Sequence, residues 1–268
     1  MSNSQYWINK EIRANKAMDH TREMERQFKN EIEFSSNNSI LYSDLPLKEK
    51  LMVGKYKIFV ENMDSVTAIM KYSNANNKMA VLNFASFKHP GGMFLKGSSA
   101  QEESLCMEST LFNVLNRQTQ YYSINKKHYL NRALYADRAI YSPDIIFQRD
   151  GYNECKCDVI TCAAPNKGAA MMKGVSAEEN YIALSSRIRL ILNICDYQFV
   201  DTIILGAFGC GVFKQDPYEV ATIFKNEIRY IWPYASTIVF AIPGGKNLEV
   251  FREVFKRDDM RNWQNRIQ

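Results

Sequence analysis

Two adjacent glutamates, Glu102 and Glu103, follow a short segment that is rich in glycine. This first glycine loop, residues 86–97, contains Gly91, Gly92 and Gly97. Glycine lets a backbone approach a ligand closely, and the free N–H groups at the start of a helix attract anions. Two carboxylates beside such a loop indicate chemistry next to a phosphate. Hydrolysis of a glycosidic bond needs an acid for the leaving oxygen and a base for water, and one residue can perform both steps in turn. The alternative is a solvated first turn, where acidic side chains gain about 0.3–1 kcal/mol from the helix dipole.

A second glycine loop covers Gly206–Phe213 with the sequence G-A-F-G-C-G-V-F. The pattern departs from the dinucleotide fingerprint G-x-G-x-x-G, and no acidic residue follows at the usual place. On its own it is equally typical of a tight turn. Phe208 and Phe213 flank the glycines and pack either in the core or on a ribose or adenine ring. Cys210 has no histidine near it in the sequence, which argues against a nucleophile.

Several other side chains permit two interpretations. Asn83 and Asn166 lie at or just beyond predicted strand ends, where they either contact a ligand or form turns. The three thiols of Cys155, Cys157 and Cys162 could form part of a zinc site. Because no second pair matches and the histidines are distant, free thiols in or near a buried strand are the preferred interpretation. The uneven spacing of all six cysteines argues against a disulfide scaffold and favours a reducing compartment.

Two strand–loop–helix units must position these loops. Met79–Phe84 is predicted as a buried strand before the first glycine loop, with a helix that begins near Ser98 or Ser99. Asp201–Gly206 is predicted as the strand before the second glycine loop, with a helix from Asp216 to about residue 230. Ligands of α/β sheets bind beyond the carboxyl ends of strands. Both loops should therefore lie on one rim of the sheet, where together they can hold a diphosphate.

Strands and helices alternate along the chain, which predicts an α/β layered fold around a buried sheet. The further predicted strands are Lys57–Val60, Ile145–Phe147, Asp158–Ala164 and Thr237–Ile242, and the further helices are a leading helix within residues 1–33, Asp64–Tyr72, Ala177–Cys195 and Leu248–Phe255. Residues 116–137 are polar and aromatic, and no element is assigned to them. The predicted division is an N-terminal helical extension at 1–40, a catalytic domain at 41–257 and a polar tail at 258–268.

The composition limits the classes of protein to which this chain can belong. The chain has 268 residues, of which 46% are hydrophobic, as expected of a globular core. It contains no run of about 18 or more apolar residues, so no membrane span is expected. The N-terminus lacks the apolar stretch of a secretory signal, so we expect an intracellular and cytoplasmic protein, or a nuclear one in a eukaryote. The formal net charge of +5 suits an anionic small ligand or polymer.

Three motifs in order together resemble a known family. They are N-F-A-S-F-K-H-P-G-G-M…A-Q-E-E-S-L-C, D-V-I-T-C-A-A-P-N and L-G-A-F-G-C-G-V-F-K-Q-D-P. Between about residues 10 and 255 the chain closely resembles the microbial-type poly(ADP-ribose) glycohydrolases. The resemblance implies a three-layer α/β/α macrodomain with a mixed central sheet and an N-terminal helical extension. It also implies hydrolysis of the ribose–ribose O-glycosidic bonds of poly(ADP-ribose) without a metal or other cofactor, by a monomer that acts on ADP-ribosylated proteins.

The resemblance assigns roles by matching position. Glu103 would be the catalytic acid/base, Glu102 would hold the ribose hydroxyls, and Phe213 would press the ribose towards Glu103. Gly91 and Gly92 would lie in the catalytic loop near the diphosphate. The residues expected to bind substrate are Asn83, Ser86, Gly91, Gly92, Met93, Gln101, Gly209, Cys210, Gly211, Val212 and Phe213.

Two positions depart from the family pattern. Met93 stands where the third glycine of the catalytic loop is usual, and Ser86 replaces an asparagine. A positive φ at Met93 would be strained, and Ser86 reaches a ribose hydroxyl less far than asparagine. Two alternatives therefore stay open: a module that binds ADP-ribose without turnover, and a hydrolase of mono-ADP-ribosylated protein or O-acetyl-ADP-ribose.

Overall fold

The computed structural model describes residues 3–43, 56–74, 77–149, 153–228 and 235–256. Within them the strands are β1 Ile40–Ser43, β2 Lys57–Glu61, β3 Met79–Phe84, β4 Arg138–Arg149, β5 Asn153–Cys162, β6 Thr202–Leu205 and β7 Thr237–Ala241. The helices are α1 Asn3–Gln27, α2 Lys29–Asn37, α3 Ser65–Tyr72, α4 Gln101–Met107, α5 Leu111–Asn116, α6 Thr119–His128, α7 Lys167–Met171, α8 Ala177–Tyr197, α9 Pro217–Ile228 and α10 Gly245–Val254.

The seven strands form one mixed sheet in the order β1-β4-β5-β3-β6-β7-β2. The run from β5 to β2 is parallel, and β4 and β1 continue the sheet in antiparallel fashion. Strand β3 lies in the middle, between β5 and β6. Since β3 and β6 are parallel neighbours, the loops that follow them leave the sheet from the same rim, as predicted.

Helices cover both faces of the sheet and produce a three-layer α/β/α arrangement. Ala80 and Leu82 of β3 pack in a core cluster with residues of α8, α9 and α10. Met79 and Val81 pack in a second cluster with residues of α1 to α6. Alternate side chains of a strand point to opposite faces, so a strand that is apolar throughout is suited to burial between two helical layers. The fold class predicted from the sequence is confirmed.

The structure corrects several element predictions. The helix that carries the two glutamates begins at Gln101 and not at Ser98 or Ser99, because residues 94–96 form a separate 3₁₀ turn that ends at Gly97. The short strand at Ile145–Phe147 is the end of the long strand β4, whose pairing with β5 shifts register after Ser142, beside Pro143. Proline lacks a ladder donor and is tolerated at such an irregularity.

Residues 116–137, to which no element was assigned, contain α6. The predicted helix after Asp216 ends, as described, at Ile228, and its remaining predicted residues and the tail at 258–268 lie outside the described residues. The three-part division of the chain stays a prediction. In the part of the chain that the structure describes, no helix is long and apolar enough to cross a membrane.

Candidate active site

The carboxyl end of β3 places a fully buried amide, Asn83, beneath the first glycine loop. Its Nδ2 donates to Oε1 of Glu102 and to Oγ1 of Thr161, at 3.3 Å each. Its Oδ1 has no hydrogen-bond partner among the described residues. Asn83 thus fixes Glu102 from the sheet side and is more than a turn former. The second asparagine, Asn166, caps α7 by accepting the Ala169 N–H at 3.1 Å.

Glu102 is 3% exposed and lies under the loop. Its Oε2 accepts the backbone N–H of Ser86 at 2.7 Å. Burial raises the pKa of the Glu102 carboxyl to about 8. The hydrogen bonds from Ser86 and Asn83 lower this pKa, and the negative charge of Glu103 raises it. Burial of a carboxylate without a cation favours its neutral form. Glu102 is therefore mainly protonated near neutral pH.

This raised pKa predicts a pH-dependent stability. A carboxyl whose pKa is higher in the folded than in the unfolded chain binds its proton more tightly when folded. The free energy of unfolding therefore falls as pH rises from the ordinary value of 4.5 towards about 8. One such group contributes a slope of up to about 1.4 kcal/mol per pH unit. We expect Glu102→Gln to remove this slope in urea unfolding between about pH 5 and 8. Parallel pH profiles for the two proteins would show that Glu102 is not the group responsible.

Glu103, in the first turn of α4, is 8% exposed, and both its carboxyl oxygens are held by backbone donors. Oε1 accepts the N–H of Met93 at 3.0 Å, and Oε2 accepts the N–H of Ala100 at 3.1 Å. A first-turn glutamate that reaches back to the N-cap backbone is half of a capping box. Here the same side chain also binds the first glycine loop, so the helix start and the loop fix one carboxyl between them.

Gly92 is the point at which the loop passes over both carboxyls. Its φ is +60°, and a Cβ added there would lie 2.8 Å from Oε1 of Glu103 and 2.9 Å from Oε2 of Glu102. The neighbouring Gly91 has φ +62°, and a Cβ on it would lie 2.6 Å from a ring carbon of Phe112. Both positions require glycine because no side chain fits beside the carboxyls or the ring.

Gly92→Ala is expected to lower kcat by about 10²-fold or more, because the new methyl group displaces the carboxyl of Glu103, the predicted acid and base, and misplacing such a group is costly. The matched control is Leu95→Ala in the same loop, which we expect to stay within about threefold of wild type because Leu95 is 42% exposed. Release of ADP-ribose from polymer measures both. Equal activity of the two variants would show that the close approach of Gly92 is unimportant.

The departures at Met93 and Ser86 have structural explanations. Met93 adopts φ −112°, so the predicted strain at this position is wrong. Its N–H binds Glu103 whatever its side chain is. Ser86 uses its N–H for Glu102, and its Oγ accepts the N–H groups of Lys88 and His89 at 3.3 and 3.2 Å. The Ser86 hydroxyl oxygen therefore stabilises the turn at the start of the first glycine loop, while the hydroxyl proton remains available to a ligand.

Gln101 was expected to bind substrate, but its amide is engaged with the protein. Its Oε1 accepts the Phe84 N–H at 2.8 Å, and its Nε2 donates to the Leu82 carbonyl at 2.8 Å and to Ser65 Oγ at 3.1 Å. The side chain thereby joins the start of α4 to β3 and to the first residue of α3. Gln101 positions the glutamates that follow it.

The second glycine loop is anchored at one end and open at the other. Gly209 has φ +76°, and a Cβ there would lie 2.8 Å from Ala164 and 2.9 Å from Gln215. Gly211 has no atom within 4 Å of its Cβ position, and Val212 is 79% exposed. The loop therefore presents backbone at Gly211 to solvent, as an anion-binding loop requires.

The side chains of this loop divide between core and cleft. Phe208 is fully buried against Phe84, with ring centroids 5.7 Å apart. Phe213 packs on Tyr135 at 6.2 Å, and Tyr135 stacks on Phe87 at 4.5 Å. Burial raises the pKa of the Cys210 thiol to about 12, so it is not a thiolate nucleophile at neutral pH.

A cavity of about 470 Å³ lies beside the start of α4 and the second glycine loop. Its lining includes Gln101 and Ser104 of α4, Gly209, Gly211, Val212 and Phe213 of the second glycine loop, and Asp64, Ser65, Pro243 and Gly244 on the far wall. Its volume falls within the range of small-molecule sites. The other predicted site residues lie outside the lining: Asn83, Ser86, Gly91, Gly92, Met93, Glu102, Glu103 and Cys210. Asn83, Glu102 and Glu103 form a cluster under the first glycine loop.

Sequence reasoning missed a fixed charge on the cavity wall. Asp64, which caps α3 by accepting the Thr67 N–H, was not predicted as part of the site. Burial alone would raise its pKa, but hydrogen bonds from Arg149 and Thr67 lower it to about 2. Arg149 also bonds Glu108 at the end of α4, with Nη2 to Oε1 at 2.9 Å. No local signal links Arg149 to Asp64, since 85 residues separate them.

The three cysteines that could have formed part of a zinc site lie along β5 and cannot share one ion. Cys157 packs in the cluster with α1 to α6, and Cys162 packs on the opposite face of the sheet. All six cysteines are free thiols. Among the described residues, no group of three histidine, cysteine or acidic side chains is placed to hold a metal ion.

Comparisons with known proteins match this arrangement. The family model "Microbial-type PARG, catalytic domain", where PARG is poly(ADP-ribose) glycohydrolase, matches residues 9–150. The structure of a PARG from Thermomonospora curvata has 25% identity and a TM-score of 0.79, and the match covers 91% of this chain and 100% of that one. The same enzyme bound to the inhibitor ADP-HPD gives a TM-score of 0.81 at 25% identity over the same shares. A PARG from Deinococcus radiodurans in complex with ADP-ribose has 27% identity and a TM-score of 0.73, over 84% of this chain and 97% of that one. No curated protein matches the chain.

Proposed function

This chain belongs to the family of microbial-type PARG catalytic domains, and from that premise we propose that it hydrolyses the ribose–ribose bonds of poly(ADP-ribose) with Glu103 as acid and base. The observation that carries the assignment of Glu103 is its position: the carboxyl is held by two backbone donors directly beneath Gly92. A carboxyl fixed at both oxygens loses little freedom when the substrate binds, which favours catalysis by positioning.

The mechanism follows from the placement of the two loops. An ADP-ribose unit occupies the cavity, with its diphosphate against the backbone of the second glycine loop. The terminal ribose then reaches the Glu103 carboxyl, with Phe213 packed against it. Protonated Glu103 donates its proton to the leaving ribose oxygen, and the glycosidic bond breaks as positive charge develops on the anomeric carbon. The ionised carboxylate next takes a proton from the attacking water.

Glu102 holds the ribose and does not take part in proton transfer. Its protonated carboxyl can donate a hydrogen bond to a ribose hydroxyl, and Asn83 and the Ser86 N–H fix its orientation. Because both groups approach from the protein side, the carboxyl has no freedom to turn away from the substrate. The two adjacent acids therefore have separate tasks, which the difference in their environments supports.

We further propose that the natural substrate is polymer attached to ADP-ribosylated proteins and that the enzyme acts as a monomer inside the cell. The six free thiols support a reducing compartment. The simplest test measures ADP-ribose released from an automodified ADP-ribose polymerase. A reader of ADP-ribose binds this substrate without release, and a mono-ADP-ribose hydrolase leaves most of the polymer uncut; either result would overturn the proposed function.

A further inference from the structure

An exposed group of three lysines and one histidine lies on the outer surface of the first glycine loop. Lys88, His89 and Lys96 belong to the loop, and Lys126 lies near the end of α6; all four side chains are exposed. The bond from Asn125 to the Phe87 carbonyl brings the end of α6, with Lys126, next to Lys88 and His89. Burial and then the positive charges of Lys126, Lys88 and Lys96 lower the pKa of His89. We call these four residues the basic patch. Its three lysines form no ion pair with an acidic side chain of the described residues, so their charge is not neutralised locally.

The basic patch is held in place relative to the two glutamates. Asn125 Nδ2, one residue before Lys126, donates to the Phe87 carbonyl at 3.1 Å and fixes the end of α6 against the loop. The Ser86 hydroxyl accepts the His89 N–H, and the Gly92 N–H donates to the His89 carbonyl at 3.1 Å. One tight turn therefore separates His89 from Gly92, the residue that lies over both carboxyls.

The cavity and the basic patch lie on different sides of the two glutamates. Its lining comes from α4, the second glycine loop, the start of α3 and residues 241–247, and it includes no residue of the first glycine loop. An ADP-ribose unit in the cavity brings its scissile bond to Glu103. The chain on the leaving side of that bond must then continue past Gly92, over the outer surface of the first glycine loop.

Resting on the proposed function, we propose that the basic patch binds the pyrophosphate of the polymer unit next to the one that is cleaved. Every repeat of poly(ADP-ribose) carries a pyrophosphate, and unpaired lysines on an exposed surface are suited to such a mobile anion. Contacts of this kind are screened by salt. The patch then favours polymer over a single ADP-ribose unit, which has no neighbouring pyrophosphate.

The test compares two triple variants of equal charge change. Lys88→Gln, Lys96→Gln and Lys126→Gln together neutralise the patch, and the control combines Lys29→Gln, Lys57→Gln and Lys156→Gln. The control residues start α2 and β2 or lie early in β5, away from the carboxyl ends of the parallel strands. For the patch variant we expect KM for protein-free polymer to rise about tenfold at low salt, with kcat within about twofold.

The salt dependence gives a second readout. Losing the contacts with the two phosphates of this pyrophosphate should flatten the slope of log(kcat/KM) against log[salt] by about 1.4. Affinity for free ADP-ribose, measured by calorimetry, should not change. If the patch variant has the KM and salt slope of the control, the patch is a solvated surface and the inference is wrong, although the activity of the wild type still supports the proposed function. If the wild type itself releases no ADP-ribose, the proposed function fails. Polymer affinity of the same variants then decides whether the patch binds the anion at all.

Discussion

Glu103→Gln is expected to lower the turnover of poly(ADP-ribose) by at least about 10³-fold, within the range of general acid–base catalysis, while ADP-ribose binding stays within about twofold. Glutamine keeps the size of the side chain and one acceptor oxygen. It cannot donate a proton to the leaving ribose oxygen or accept one from water. The cavity lining does not include Glu103, so the diphosphate and the rest of the ADP-ribose unit retain their contacts.

The free energy of unfolding of Glu103→Gln shows whether this variant keeps the fold. The amide can accept only one of the two backbone N–H groups that now bind Oε1 and Oε2, so we expect a loss of about 1 kcal/mol in the free energy of unfolding. Single-turnover release of ADP-ribose and calorimetric binding should be measured on the same preparation. Glu103→Asp is the matched control, since it retains the acid but withdraws it by one methylene, and it should retain partial activity. Wild-type turnover in Glu103→Gln would exclude Glu103 as the acid and base.

The centre of the fold could be predicted from local pattern. Strand β3 was expected over the residues it occupies, because six consecutive apolar or buried positions before a glycine loop are typical of a central parallel strand. Helix α8 was also expected, and its Ser176 and Glu179 form a capping box. The convergence of two distant glycine loops followed from the rule that parallel strands place their loops on one rim.

The missed features depend on contacts between distant parts of the chain. Helix α6 was not predicted because its buried residues, Tyr121, Tyr122 and Asn125, give no clear apolar period. Local sequence could not show that the Gln101 amide is bonded to β3 and α3, while its expected contact with substrate stays a prediction. The strain expected at Met93 rested on a family glycine, yet at this position the backbone keeps an ordinary negative φ, and the positive angles fall at Gly91 and Gly92.

The contact between the N-terminal helix and the first glycine loop likewise could not be predicted from the sequence. Helix α1 packs against the 3₁₀ turn that ends at Gly97, and Arg13 Nε donates to the Gly97 carbonyl at 2.7 Å. Gly97 has φ +74°, and a Cβ on it would lie 2.0 Å from the carbonyl oxygen of Lys10. The backbone of α1 therefore supports the loop whose Met93 N–H holds Glu103.

Gly97→Ala should consequently reduce both stability and turnover. The left-handed backbone alone costs an alanine about 1–2 kcal/mol, and the contact with a backbone oxygen adds an overpacking cost of about 1–3 kcal/mol. Gly174→Ala is the matched control: Gly174 has φ +73° with nothing within 4 Å of its Cβ position, so it measures the backbone cost by itself. Urea unfolding should show that Gly97→Ala loses about 3 kcal/mol or more, clearly more than the control.

Turnover shows whether Gly97→Ala disturbs the first glycine loop or only lowers the stability of the fold. At a temperature where both variants are folded, Gly97→Ala should have a kcat at least about tenfold below wild type, because displacing α1 moves the Met93 donor away from the Glu103 carboxyl. Gly174→Ala should keep wild-type kcat. If Gly97→Ala is no less stable than the control and has the same kcat, then α1 does not hold the catalytic loop, and the carboxyl is positioned by α4 and the Ala100 N–H alone.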